Sequence, residues 1–124
     1  MIGSLLMAVA LMQDVPLEIE RRYSPAYLAC RNRRGVAMGE CNSAELKVQD
    51  DLLNRTWIRV MTALPSDEKR RALRLLERKW IKDRDRACRA LANRDMDADW
   101  KGGDLSACLL NATIRRTMWL ERQK

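Results

Sequence analysis

The chain contains no histidine. That absence removes Ser–His and Cys–His nucleophile pairs, histidine general bases and every zinc site with an imidazole ligand. Phenylalanine is missing too. Four Trp and two Tyr are the whole aromatic complement of 124 residues, so aliphatic side chains and tryptophan must close the core. Three Pro and five Gly are too few for the turns of an all-β protein, which leaves long helices. No Lys or Arg precedes the apolar opening MIGSLLMAVALM, and that run is too short to span a bilayer.

What is present describes one globular domain. Hydrophobic residues make up 47% and charged residues 33% of the chain, which is incompatible with disorder, and the length suits a single modest core. The net charge is +7, with basic residues spread along the sequence. Such a balance fits an anionic partner or solubility alone. Nucleic acid is not expected, because no aromatic residues accompany the basic ones to stack on bases.

Ala8-Val9-Ala10 near the end of the apolar run fits the small-x-small rule for signal peptidase, with a buried N-terminal helix as the alternative. Residues 1–12 therefore read as a leader, 13–23 as a polar connector, and 24–124 as the domain. A periplasmic or secreted location follows. Cys30 follows Tyr27-Leu28-Ala29, a poor lipidation signal. The four cysteines, Cys30, Cys41, Cys88 and Cys108, lack the close spacing of a zinc knuckle or a thioredoxin-type pair. An even count behind a leader reads as a disulfide framework. Three connectivities are open. Neighbour pairing, Cys30 with Cys41 and Cys88 with Cys108, closes two local loops and is the expected one.

Ser24-Pro25 opens a short helix through Cys30, an N-cap followed by Pro at the first helical position. Asn42 or Ser43 caps a long helix from about Ser43 to Leu64, and Asn42-x-x-Glu45 has capping-box spacing. Its apolar stripe is Leu46, Leu53, Trp57, Val60 or Met61, and Leu64. Ser66 caps a second long helix with Asp67 and Glu68 in its first turn, turning Leu73, Leu76, Trp80, Ala87 and Leu91 inward. Asn93 to Asp104 reads as a loop around Gly102-Gly103. Asp104 then caps a last helix to about Arg122, with Leu105, Cys108, Leu109, Ala112, Trp119 and Leu120 inside. The expected fold is all-α: a small disulfide-stapled bundle of three main helices and a short N-terminal one.

Asp50, Arg84 and Arg116 fall on these apolar faces. Unpaired charges inside a bundle are costly, so Asp50 is expected to accept hydrogen bonds from Arg84, Arg116 or both, with Asn54, Glu77, Asp85 and Thr113 as further partners. A catalytic reading would make Asp50 an acid or base with Glu77 or Asp85, but arginine neighbours favour the ionised carboxylate, which suits a general acid poorly. The network reads as structural, and no enzyme and no cofactor or metal are expected. Arg70, Arg74, Arg78 and Lys82 recur every four residues, continued by Arg86 and Arg89, as a basic stripe on solvent. Trp57, Trp80 and Trp119 fall on inward stripes, whereas Trp100 stands in the loop, where an exposed interface anchor and a packing plug are both open readings.

Asp50-x-x-Leu53-Asn54-x-x-Trp57 resembles the D-x-x-L-N-x-x-[YW] pattern of the lysozyme inhibitor LprI N-terminal domain family. Glu77-Arg78-x-Trp80-Ile81-x-x-Arg84-Asp85-x-x-Cys88 is similar to its Q-R-x-W-[IL]-x-x-R-D-x-x-C block, with Glu77 in place of Gln. Gly102-Gly103, Cys108, Thr113, Arg116 and Leu120 resemble its closing segment. The resemblance runs from Cys30 to about Leu120. It implies an exported, disulfide-bonded, all-helical envelope domain that binds a protein, a lysozyme being the partner the family name implies. A chain of +7 is repelled as a whole from a basic lysozyme. Asp95, Asp97, Asp99 and Asp104, clustered around Trp100, are the local patch expected to dock on one. The alternative partner is an anionic envelope polymer held by the basic stripe.

Overall fold

The computed structural model describes residues 16–93 and 98–123, and their side chains apart from those of 98–104. Five helices carry the described chain: α1 Leu17–Glu20, α2 Pro25–Arg31, α3 Met38–Ala63, α4 Asp67–Asn93 and α5 Ala98–Glu121. No strand occurs among the described residues, so the fold is all-α. Both disulfides join neighbouring cysteines. Cys30–Cys41 ties the end of α2 to the first turn of α3, and Cys88–Cys108 ties α4 to α5, with Cα atoms 5.7 and 5.5 Å apart.

Local chemistry sets several boundaries as expected. The Ser24 hydroxyl accepts from the Tyr27 amide at 3.2 Å, with Pro25 at the first helical position. Ser66 accepts from the Lys69 amide at 3.2 Å, and Asp67 and Glu68 occupy the first turn of α4. Between α2 and α3, Gly35 takes a positive φ of 77°, a conformation that glycine alone adopts freely.

Three boundaries differ from expectation. Helix α3 begins at Met38, more than a turn before Ser43. Asn42 is therefore buried inside the helix, where its Oδ1 accepts from the Tyr27 hydroxyl at 2.9 Å. Glu45 closes no capping box. It is 2% exposed and accepts from the Ser24 amide at 2.7 Å, the Ser24 hydroxyl at 2.5 Å and Gln49 Nε2 at 3.0 Å. The connector contains α1, and Ile19 and Tyr23 are buried in the core. Finally, α5 begins at Ala98, so Gly102-Gly103 lies within a helix and Asp104 is not its cap. Each glycine costs a helix about 1 kcal/mol, an amount that packing further along can offset.

Helix α5 is the axis. It packs along α3, against α4 and beside α1, while α2 lies on α3. From 105 to 120 it leaves only Arg115 exposed. One apolar cluster joins Ile19, Tyr23, Tyr27, Cys41, Leu110 and Ile114. A second, near the α3–α4 turn, joins Leu53, Val60, Leu64, Leu73 and Leu120, with Trp57, Trp80 and Trp119 half-buried against it. The face of α4 turned to the core is rotated from the expected stripe. Leu73, Cys88 and Ala92 are buried and Trp80, Glu77 and Arg84 partly so, but Leu76 and Leu91 are 50% and 48% exposed, and Ala87 is exposed. No described helix is long and apolar enough to cross a membrane.

Candidate functional site

Helices α3 and α4 leave Pro65 in the same hairpin, yet each packs on α5 far more than on the other. The space between them is an open cleft of about 450 Å³. Asp50, Leu53, Asn54 and Trp57, at steps of three and four on α3, form one wall. Side chains three and four apart share a helix face, so the spacing alone places them together. The opposite wall is Arg74, Glu77, Arg78, Trp80, Ile81 and Arg84 of α4.

Beneath the cleft the arginines find partners other than Asp50. Arg116 of α5 donates from Nε to both Glu77 oxygens at 3.3 Å; their side chains are only 10% and 14% exposed. Arg116 Nη2 is buried with no hydrogen-bond acceptor among the described residues. Two indoles take the acceptor's place: the guanidinium carbon lies 3.9 Å from the Trp119 ring centroid and 5.3 Å from that of Trp80, within cation–π range. Arg84 donates to Asp85 Oδ1 at 3.0 Å and to Thr113 Oγ1 at 3.4 Å, and lies 5.0 Å from the Trp80 ring.

Asp50 is thus not the acceptor for Arg84 or Arg116. Each arginine has a carboxylate on α4 that is better placed: Glu77 for Arg116, and the adjacent Asp85 for Arg84. Asp50 is half-buried at the edge of the cleft. Burial pushes its carboxyl above the ordinary range, and the field of Arg84 only partly opposes this. Asn54 is exposed on the same wall.

The basic residues do not form one face. An α-helix turns about 40° beyond a full circle in four residues, so the series spirals. Arg70 is withdrawn from it: it donates to the Leu64 carbonyl at 2.6 Å and to Asp67 Oδ1 at 3.0 and 3.2 Å, closing the C-terminus of α3. Arg74 and Arg78 line the cleft. Lys82, Arg86 and Arg89 border a separate shallow depression with Asp85 and Asn93.

Of the proposed docking patch, Asp95 and Asp97 lie outside the described residues. Asp99, Trp100 and Asp104 fall on the helical backbone of α5, and their side chains also lie outside the description. Sequence reasoning missed the contribution of Ile81, which is 41% exposed on the cleft wall, and missed the burial of Glu45. The first was legible as an apolar residue one step beyond Trp80. The second carried no signal, since a buried carboxylate looks like a surface one.

The cleft offers hydrogen-bonding groups beside apolar surface, a combination that can hold a ligand. A family model described as "Lysozyme inhibitor LprI" matches residues 30–120. The chain matches no curated protein and no solved structure.

Proposed function

Because the chain belongs to the lysozyme inhibitor LprI family, we propose that it is an exported, non-enzymatic binding domain of the bacterial envelope that inhibits a lysozyme. The family match carries this reading. It begins at the first cysteine and takes in α3, α4, both disulfides and nearly all of α5. Two disulfides in so small a domain suit an oxidising compartment, which agrees with the leader-like residues 1–12. The docking surface is the acidic segment Asp95, Asp97, Asp99, Trp100 and Asp104, whose carboxylates meet a basic cleft while the indole supplies the apolar anchor. The test is inhibition by the triple variant D95N/D97N/D99N and by Trp100→Ala. Loss of inhibition with unchanged thermal unfolding is expected; full inhibition by both excludes this segment as the docking surface.

A second reading rests on a separate observation. Arg74, Arg78, Lys82, Arg86 and Arg89 are exposed and form no salt bridge among the described residues, which suits an anionic envelope polymer. Such binding weakens steeply with salt. Binding to purified peptidoglycan or lipopolysaccharide that is indifferent to salt contradicts it.

A further inference from the structure

The α3–α4 cleft carries a pattern that lysozyme docking through the acidic segment does not use, and that shares only Arg74 and Arg78 with the basic residues suited to an anionic polymer. On α3, Asp50, Asn54 and Trp57 stand at i, i+4 and i+7, one face of a helix. They present a carboxylate, a carboxamide and an indole in succession over about 10 Å of helix. Facing them on α4, Arg74 and Arg78 stand one turn apart and are exposed. None of these four polar side chains has a hydrogen bond or salt bridge among the described residues, whereas the neighbouring Glu77 and Arg84 are satisfied by Arg116, Asp85 and Thr113. With those pairs neutral, the cleft is left with Asp50 against Arg74 and Arg78, one uncompensated positive charge.

We propose that this cleft binds an acidic sugar, a pyranose bearing a carboxylate. Asp50 and Asn54, a turn apart, bracket adjacent ring hydroxyls, which donate to the carboxylate and both donate to and accept from the carboxamide. Trp57 and the exposed Ile81 take the apolar face of the ring. Arg74 and Arg78 hold the carboxylate with planar, charge-assisted donors. The volume of about 450 Å³ suits one or two rings. Simple anions lack the ring and neutral sugars lack the charge, so both halves of the cleft are needed for affinity. The site is independent of lysozyme inhibition and stands or falls separately from it.

Tryptophan fluorescence reads the site directly, because Trp57 and Trp80 line it. The oxidised domain is titrated at fixed ionic strength with digalacturonic acid and with N-acetylmuramic acid, with cellobiose as neutral control and acetate as anionic control. A saturable change with at least one acidic sugar, a much weaker one with cellobiose and none with acetate are expected. R74A/R78A should raise Kd for the acidic sugar by about tenfold or more. K82A/R86A, which removes the same charge outside the cleft, should change it by less than about twofold. All four side chains are exposed, so both variants should fold. No saturable change with either acidic sugar overturns the proposal. So does equal weakening by the two double variants, which makes the binding a general attraction to basic charge.

Discussion

Removing the Glu45 carboxylate strands three donors at once: the Ser24 amide, the Ser24 hydroxyl and the Gln49 carboxamide. Glu45→Ala should therefore cost about 3 kcal/mol in urea unfolding; a loss below about 1 kcal/mol means water replaces the carboxylate freely. Glu77→Ala is of the same kind, leaving the guanidinium of Arg116 held, among the described residues, only by Trp119 and Trp80, and should also cost about 3 kcal/mol. Asp50 behaves oppositely. Its carboxyl is raised by burial with only the field of Arg84 against it. A carboxyl with a folded pKa above its unfolded one favours the unfolded chain once ionised. The penalty grows as pH rises from the unfolded value through the folded one and is constant beyond. Asp50→Asn should match the parent in stability in acid and exceed it at neutral pH. An equal shift at both pH values assigns the effect to something other than ionisation. Asp50 and Glu77 also show where sequence reasoning stops. The spacing of Asp50, Glu77, Arg84 and Arg116 was enough to expect a polar cluster, but which carboxylate meets which guanidinium depends on helix rotation, which periodicity does not determine.

At the scale of elements, the long helices were legible from caps and apolar steps, and their ends were not. After Cys41 the buried stripe of α3 runs through Asn42, Glu45 and Gln49, polar residues that give no hydrophobic period, so its first turns were invisible. In α4 the sequence offered one apolar stripe, but the helix instead buries the sector around Leu73, Cys88 and Ala92. The Cys88–Cys108 bond and the stacking of Arg84 and Arg116 on Trp80 hold that rotation. Helix α1 was missed because four residues are too short for any period. Its anchor is Ile19, 2% exposed in the core, backed by the bidentate Arg22–Glu121 pair at 2.6 and 2.8 Å. Ile19→Ala should lower stability by about 2–4 kcal/mol, read from thermal or urea unfolding; an unchanged midpoint places α1 outside the cooperative unit. The ion pair, about a third exposed, contributes at most about 1 kcal/mol. Its hydrogen bond holds the Glu121 carboxyl below the ordinary range. That contribution is complete above the unfolded carboxylate pKa and disappears as pH falls through the folded one.

For the whole molecule, the disulfides close loops with sequence separations of 11 and 20. By chain entropy each stabilises by about 3 kcal/mol, so reduction should remove a large part of the folding free energy of so small a domain. The disulfides tie α2 to α3 and α4 to α5, and α5 packs on both α3 and α4, an arrangement suited to presenting defined surfaces to a partner. Its charge of +7 predicts that association with a basic lysozyme becomes faster as salt screens the repulsion, the reverse of ordinary electrostatic steering. The most direct measurement is inhibition of c-, g- and i-type lysozymes by the oxidised domain at low and moderate salt, beside a reduced control. Micromolar or tighter inhibition of at least one class, lost on reduction, is the predicted result. No inhibition of any class at either salt contradicts the proposed function.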